Sequence, residues 1–166
     1  MIFTGIQEAY QAAIAVHPFF SAQAATTVLI DLGNVTQAIE SALAYPAGAG
    51  YAVAVWPPTK GSATDDGGDV GLIHAQSVIR LAVNPLYLTA LNTAHAGNNA
   101  LPTASQWVRE AIESIVQALK GIAPSDGNPE KIMMATDFFE LMNLDEGLLA
   151  FHLRFVCLAV MGDSNS

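Results

Sequence analysis

Apolar positions in this chain recur at helical spacing, then alternate, and most changes of period fall at a glycine, proline or asparagine. Over residues 4–16, Ile6, Tyr10, Ala13 and Ile14 share one face of a helix, which Pro18 ends. Val28, Leu29 and Ile30 read as a short strand. Asn34 then stands as an N-cap, with Gln37 completing a capping-box pattern. The helix it opens turns Val35, Ile39 and Leu43 inward and ends before Pro46. Tyr51 to Trp56 alternates, with Tyr51, Val53 and Val55 on one face, alanines and Trp56 on the other, and Pro57-Pro58 as the stop. Residues 59–71 are rich in Gly, Ser, Thr and Asp without an apolar period, and they read as a mobile loop at a hairpin tip.

Alternation resumes from Leu72 to Val83. Ile73, Ala75, Ile79, Leu81 and Val83 fall on one parity, and His74, Gln76, Arg80 and Ala82 on a wetter one. The strand stops at Asn84-Pro85, and residues 85–103 form a second long connection with a helical turn near Leu86 to Leu91. Thr103 or Ser105 caps the next helix. Its apolar stripe is Val108, Ile112, Ile115, Val116 and Leu119, and Gly121 is expected to close it in a left-handed conformation. Lys131 to about Leu141 reads as a strand in spite of Asp137 and Glu140, Asn143 to Gly147 as a turn, and Leu148 to Val160 as a closing strand. That last strand sets Leu149, Phe151, Leu153, Phe155 and Cys157 on one face and Ala150, His152, Arg154 and Val156 on the other, as a central or penultimate strand would. Gly162 to Ser166 is a frayed tail. With no internal repeat and no composition break, the pattern predicts one α+β domain over residues 1–166.

Composition shifts this picture toward assembly. Of the 166 residues 52% are hydrophobic and 13% charged, about half the usual charged share, so some apolar surface is expected to meet another subunit. The net charge is −9, and the six basic residues are scattered, which leaves no basic stripe for steady nucleic-acid binding. The N-terminus has no basic n-region, and the apolar run Leu148 to Met161 is broken by His152 and Arg154 and is too short to span a membrane. Cys157, the one cysteine, cannot form an intrachain disulfide and reads as a buried, inert thiol.

Candidate chemistry is sparse. His17, His74, His95 and His152 lie at no metal-ligand spacing. Asp65-Asp66-Gly67-Gly68-Asp69 lacks the alternating carboxylates and closing Glu of a calcium loop and reads as a solvated tip. There is no G-x-S-x-G elbow, and Gly48-Ala49-Gly50 lacks the Lys-Ser/Thr of a phosphate loop and precedes a strand. The expectation is a chain that is not an enzyme and carries no metal and no cofactor.

The order of elements resembles a known family. A helix leads to a segment near Asp31, a helix ending Ala42-Leu43 leads through glycines to YAVAVW, and a loop leads to a long strand ending VIRLAVNP. Then come a long connection, a helix ending ALKG and a terminal strand pair. This is similar to the tail terminator and related minor tail or neck proteins of tailed bacteriophages, over nearly the whole chain but as architecture and loose pattern. Val83-Asn84-Pro85 and Ala118-Leu119-Lys120-Gly121 are its most specific pieces. The resemblance implies an α+β subunit with helices packed on one side of a mostly antiparallel sheet. It also implies a homo-oligomeric ring, usually a hexamer, in the virion at the head-proximal end of the tail tube. The implied partners are the tail tube protein and a neck or head connector protein, with DNA passing through the lumen without specific binding. The family carries no catalytic residues to transfer. The closing strand is more apolar here than in several relatives, which leaves terminator and other neck or tail-completion roles both open.

Two kinds of candidate site follow. The long polar connections are the expected partner-docking loops, represented by Thr59, Lys60, Asp65, Asp66 and Asp69 in the first and Asn92, His95, Asn98 and Asn99 in the second. Trp56, Trp107, His152 and Arg154 are the expected subunit contacts. The rival expectation is a small-ligand-binding α+β domain or enzyme whose site assembles only in three dimensions.

Overall fold

A computed structural model of the chain describes residues 2–21, 27–29, 35–44, 47–63, 72–91, 106–122, 130–143 and 147–160. The elements are α1 (Ile2–Val16), α2 (Pro18–Ser21), β1 (Thr27–Leu29), α3 (Val35–Leu43), β2 (Tyr51–Val55) and β3 (Lys60–Ala63), followed by β4 (Leu72–Val83), a 3-10 turn (Pro85–Tyr87), α4 (Gln106–Lys120), β5 (Glu130–Asn143) and β6 (Leu149–Val160). The fold is α+β. Six strands form one sheet in the order β1-β2-β4-β6-β5, with β3 also paired to β4. Every pairing is antiparallel except β1 with β2.

Alternation decides which side chains meet. The parity carrying Tyr51, Val53, Val55, Ala75, Ile79, Leu81, Leu153, Phe155 and Cys157 forms the main core with α1, α2 and α4. On α1 the predicted face of Ile6, Tyr10 and Ile14 is the buried one. Pro18 ends α1 as expected but also opens α2, where its fixed φ and missing N–H suit a first helical turn. The gain is two aromatic side chains in the core: Phe19 and Phe20 stand 4.9 Å apart edge to face, and Phe19 lies 5.4 Å from Trp107.

One helix departs from the one-sided layer. α3 packs on the opposite face, where Ile39 and Leu43 sit over Ala52, Ala54 and Ala82. The small alanines leave the shallow bed that a helix needs there. The second face is thus covered at its β2 end, and elsewhere it carries His74, Gln76, Val78, Arg80, His152, Arg154 and Val156 at intermediate exposure.

Two turns hold these layers together. Gly50 adopts φ +90°, and a Cβ there would lie 2.5 Å from Cγ of Tyr87. Gly48-Ala49-Gly50 is accordingly a tight link from α3 to β2, which explains a glycine pair that is no phosphate loop. Asn84 is the second knot. Its Nδ2 donates to the Leu43 carbonyl at 2.8 Å, its Oδ1 accepts from Leu86 N at 3.1 Å, and its own N–H donates to Gly50 O at 2.9 Å. The Tyr87 hydroxyl donates to Ala44 O at 2.9 Å beside it.

Three sequence expectations need correction. β2 stops before Pro57-Pro58 as expected, but the start of residues 59–71 is not a loop: Trp56 N donates to Val78 O and Thr59 N to Gln76 O, both at 3.0 Å, and the chain re-enters the sheet as β3. Lys-Gly-Ser-Ala has no apolar period because this pairing rests on backbone hydrogen bonds. Gly121 is not left-handed: among the described glycines only Gly50 and Gly147 have positive φ. Instead, its N–H donates to Gln117 O at 3.1 Å and Ala118 O at 3.2 Å, and Ile122 N donates to Leu119 O at 3.2 Å, closing the helix with tightened last turns. Finally, the predicted stripe on α4 holds at Val108, Ile115 and Leu119, but the buried face also takes in Trp107, Ala111, Ser114 and Ala118, and Ile112 and Val116 lie at its margin. The expected N-cap at Asn34 and the caps at Thr103 or Ser105 lie outside the described residues.

Candidate functional site

The sequence candidates separate sharply. Trp107 is fully buried, its ring 4.7 Å from Tyr51 and 5.4 Å from Phe19, so it is core and not a subunit contact. The sequence stripe passed one position to the side of it. Lys60 belongs to β3 and Thr59 is bonded to β4, so both stand on the sheet and not in a mobile loop. Asp65, Asp66, Asp69, Asn92, His95, Asn98 and Asn99 lie outside the described residues. The predicted helical turn after Asn84 is present, running through residues 85–91, and it buries Leu88 and Leu91 in the main core.

Cys157 faces the core as expected. Burial pushes its pKa up, while Tyr10 opposes that shift. Burial, with Cys157 adding to it, pushes the Tyr10 phenol up as well, so both groups stay protonated. A protonated, enclosed thiol is a poor nucleophile. Among the described residues, no three of His, Cys, Asp and Glu gather to hold a metal ion, and no helix is long and apolar enough to cross a membrane.

What does converge is a polar cluster on the second sheet face. Strand register places Ala54, Arg80, His152 and Glu140 side by side across β2, β4, β6 and β5. The guanidinium carbon of Arg80 lies 4.6 Å from the centroid of the Trp56 ring, a cation–π stack. Arg80 Nε donates to His152 Nε2 at 2.8 Å. His152 therefore accepts at Nε2 and is neutral. Burial, then Arg80 and Arg154, lower its pKa against a smaller opposing pull from Glu140. Burial also lowers the pKa of Arg80, and among the described residues no carboxylate opposes that shift.

Arg154 is committed within the subunit. Its Nη2 meets Glu140 Oε2 at 2.6 Å, its Nη1 donates to Asp137 O at 3.2 Å, and its Nε lies 3.7 Å from Asp137 Oδ2. These bonds pin an irregular stretch of β5, where residues 135–138 stand opposite Arg154 alone.

A second surface went unread in the sequence. β5 forms the outer edge of the sheet, and along it Met133, Met134, Phe139 and Leu141 are between 48% and 57% exposed. Register puts Met134, Phe139 and Leu141 on the side of the main core and Met133 on the other. Neighbouring Phe138 turns in to meet Phe155 edge to face at 5.3 Å, and Ile132 also packs on the core. The apolar doublets Met133-Met134 and Phe138-Phe139 were the available signal. In a regular strand adjacent residues face opposite ways, so Met133-Met134 makes both faces apolar, whereas the irregular ladder brings both Phe138 and Phe139 to the core side. No family model and no curated protein matches this sequence.

Proposed function

We propose that this chain is a structural subunit that assembles with copies of itself into a closed ring, and that the ring serves as a tail terminator or another neck or tail-completion element of a tailed-phage virion. The observation that carries the assembly is β5, a 14-residue edge strand with four half-exposed Met, Phe and Leu side chains. Such an edge invites pairing or aggregation unless another surface covers it. A ring needs a head-to-tail contact between two different patches that closes by rotation. The β5 ledge supplies one patch. The phage assignment rests on the order of elements and on the Asn84 knot, which gives the Val83-Asn84-Pro85 signature a structural purpose.

Native mass spectrometry of the full chain, with imaging of assembled tails, tests the reading. The expected result is a ring, in solution or on particles. Met134→Lys with Leu141→Lys should leave the fold intact and abolish assembly. A wild-type chain that stays monomeric and is absent from purified particles refutes the proposal.

A further inference from the structure

The Arg80–Trp56 pair has the form of half an interface. Arg80 is stacked on an aromatic ring, tethered through Nε, and half-buried, yet among the described residues no carboxylate bonds to it. Its Nε bond to a neutral histidine leaves the terminal Nη groups as donors of charge-assisted bonds. Arg154, two residues along the same face of β6 from His152, is by contrast already bonded to Asp137 and Glu140. One arginine on this face is satisfied within the subunit, and the other is held in place with its charge uncompensated by any described residue.

We infer that Arg80, clamped by Trp56 and His152, is a receptor for a carboxylate carried by a second copy of this chain. The choice of occupant rests on charge. The chain has 15 acidic and 6 basic residues, so each copy presents a surplus of carboxylates. Glu8, Glu40 and Glu113 are exposed on α1, α3 and α4. Arginine and tryptophan are also the side chains that most often dominate interface energies. A planar guanidinium already fixed at Nε loses little freedom when it grips a carboxylate with two parallel bonds. The inference builds on the ring proposal and adds to it a named contact on the second sheet face, distinct from the β5 ledge.

Sedimentation equilibrium on the full chain tests it, with wild type, Arg80→Gln and Arg80→Lys compared at low and high salt and folding checked by circular dichroism. The expected result is self-association by the wild type that is weakened about 30-fold or more in Arg80→Gln, as for a desolvated charge pair that loses one partner. Arg80→Lys should fall between the two, because it keeps the charge and loses the fork. It also carries the test should the glutamine variant fail to fold. Association of Arg80→Gln or Arg80→Lys at wild-type strength overturns the carboxylate receptor and leaves the ring standing. A wild type that is monomeric at every concentration and missing from particles overturns both.

Discussion

Replacing Asn84 by alanine should destabilise the fold more than any other single polar change in the described structure. Asn84 is 8% exposed and joins three elements: its amide donates to the last residue of α3, its side-chain carbonyl receives Leu86 N, and its backbone N–H meets Gly50 O. Alanine keeps the backbone bond and removes the other two. Each is worth about 1 kcal/mol net, and the Leu43 carbonyl left without its donor adds about 1–2 kcal/mol of desolvation. The sum is about 3–4 kcal/mol, or a fall in Tm of roughly 6–16 °C for a chain of this size. Asn84→Asp makes the sharper comparison. It keeps an acceptor for Leu86 N but turns a carboxylate oxygen toward the Leu43 carbonyl, so it should cost at least as much as alanine at neutral pH. Part of that loss should return in acid, where the introduced carboxyl can donate. Urea unfolding of the three proteins at pH 7 and pH 4, compared as midpoints at unchanged m-value, measures this. A loss below about 0.5 kcal/mol for Asn84→Ala, in the range of ordinary surface changes, would show that the knot does not join α3 to the sheet.

Gly50→Ala should cost about 2–4 kcal/mol, since its φ of +90° strains any other L residue and the new Cβ would press on the Tyr87 ring; thermal unfolding reads this directly. Trp107→Ala should cost about 3–5 kcal/mol and lower the Tm of the free subunit, whereas a residue used only between subunits would change association alone. Stability should fall as pH drops below the ordinary histidine value of 6.5, because the unfolded chain protonates its histidine first while His152, held neutral by burial and by two arginines, resists. The contribution is present above 6.5 and is lost as pH falls through the lowered pKa of His152, so His152→Gln should flatten that part of the stability-against-pH curve.

The alternating strands were the most legible part of the sequence. Tyr51–Val55, Leu72–Val83 and Leu149–Val160 each bury the predicted parity, because a strand with one face on a core has to segregate its side chains by twos. The last of them is penultimate in the sheet, as its aromatic face suggested. Legibility failed where backbone and not side chains made the structure. β3 has four residues without a pattern, and the sheet edge orders them through main-chain bonds. It failed again where small residues carried the packing. Ala111, Ser114 and Ala118 let α4 approach its neighbours, but they weigh little in an apolar count, which draws Ile112 and Val116 into the stripe beside Val108, Ile115 and Leu119 and leaves Trp107 to be assigned to a subunit contact. Of the candidate surface residues, Trp56 and His152 do come together, but through Arg80, which only the strand register could place between them.

The same register bears on how β5 can be used. A long, regular, apolar edge would extend without limit by adding strand to strand. β5 is not regular. Its ladder with β6 shifts between Glu130 and Met133 and again between Met134 and Phe139. The second irregularity is held by Arg154 through Asp137 and Glu140, which also places two acidic residues at the middle of the edge. Irregular spacing and negative charge both oppose open-ended pairing of identical edges, since two copies laid together would bring their carboxylates to the same stretch. The exposed Met134, Phe139 and Leu141 remain available to a differently shaped surface that meets their side chains. The edge is therefore built against fibres and suited to a contact between unlike patches, the kind of contact that closes a ring. Arg154→Gln should loosen that control: released from its pin, β5 should aggregate on mild heating, which light scattering would detect, while a variant that stayed as soluble as the wild type would show that the irregularity alone guards the edge.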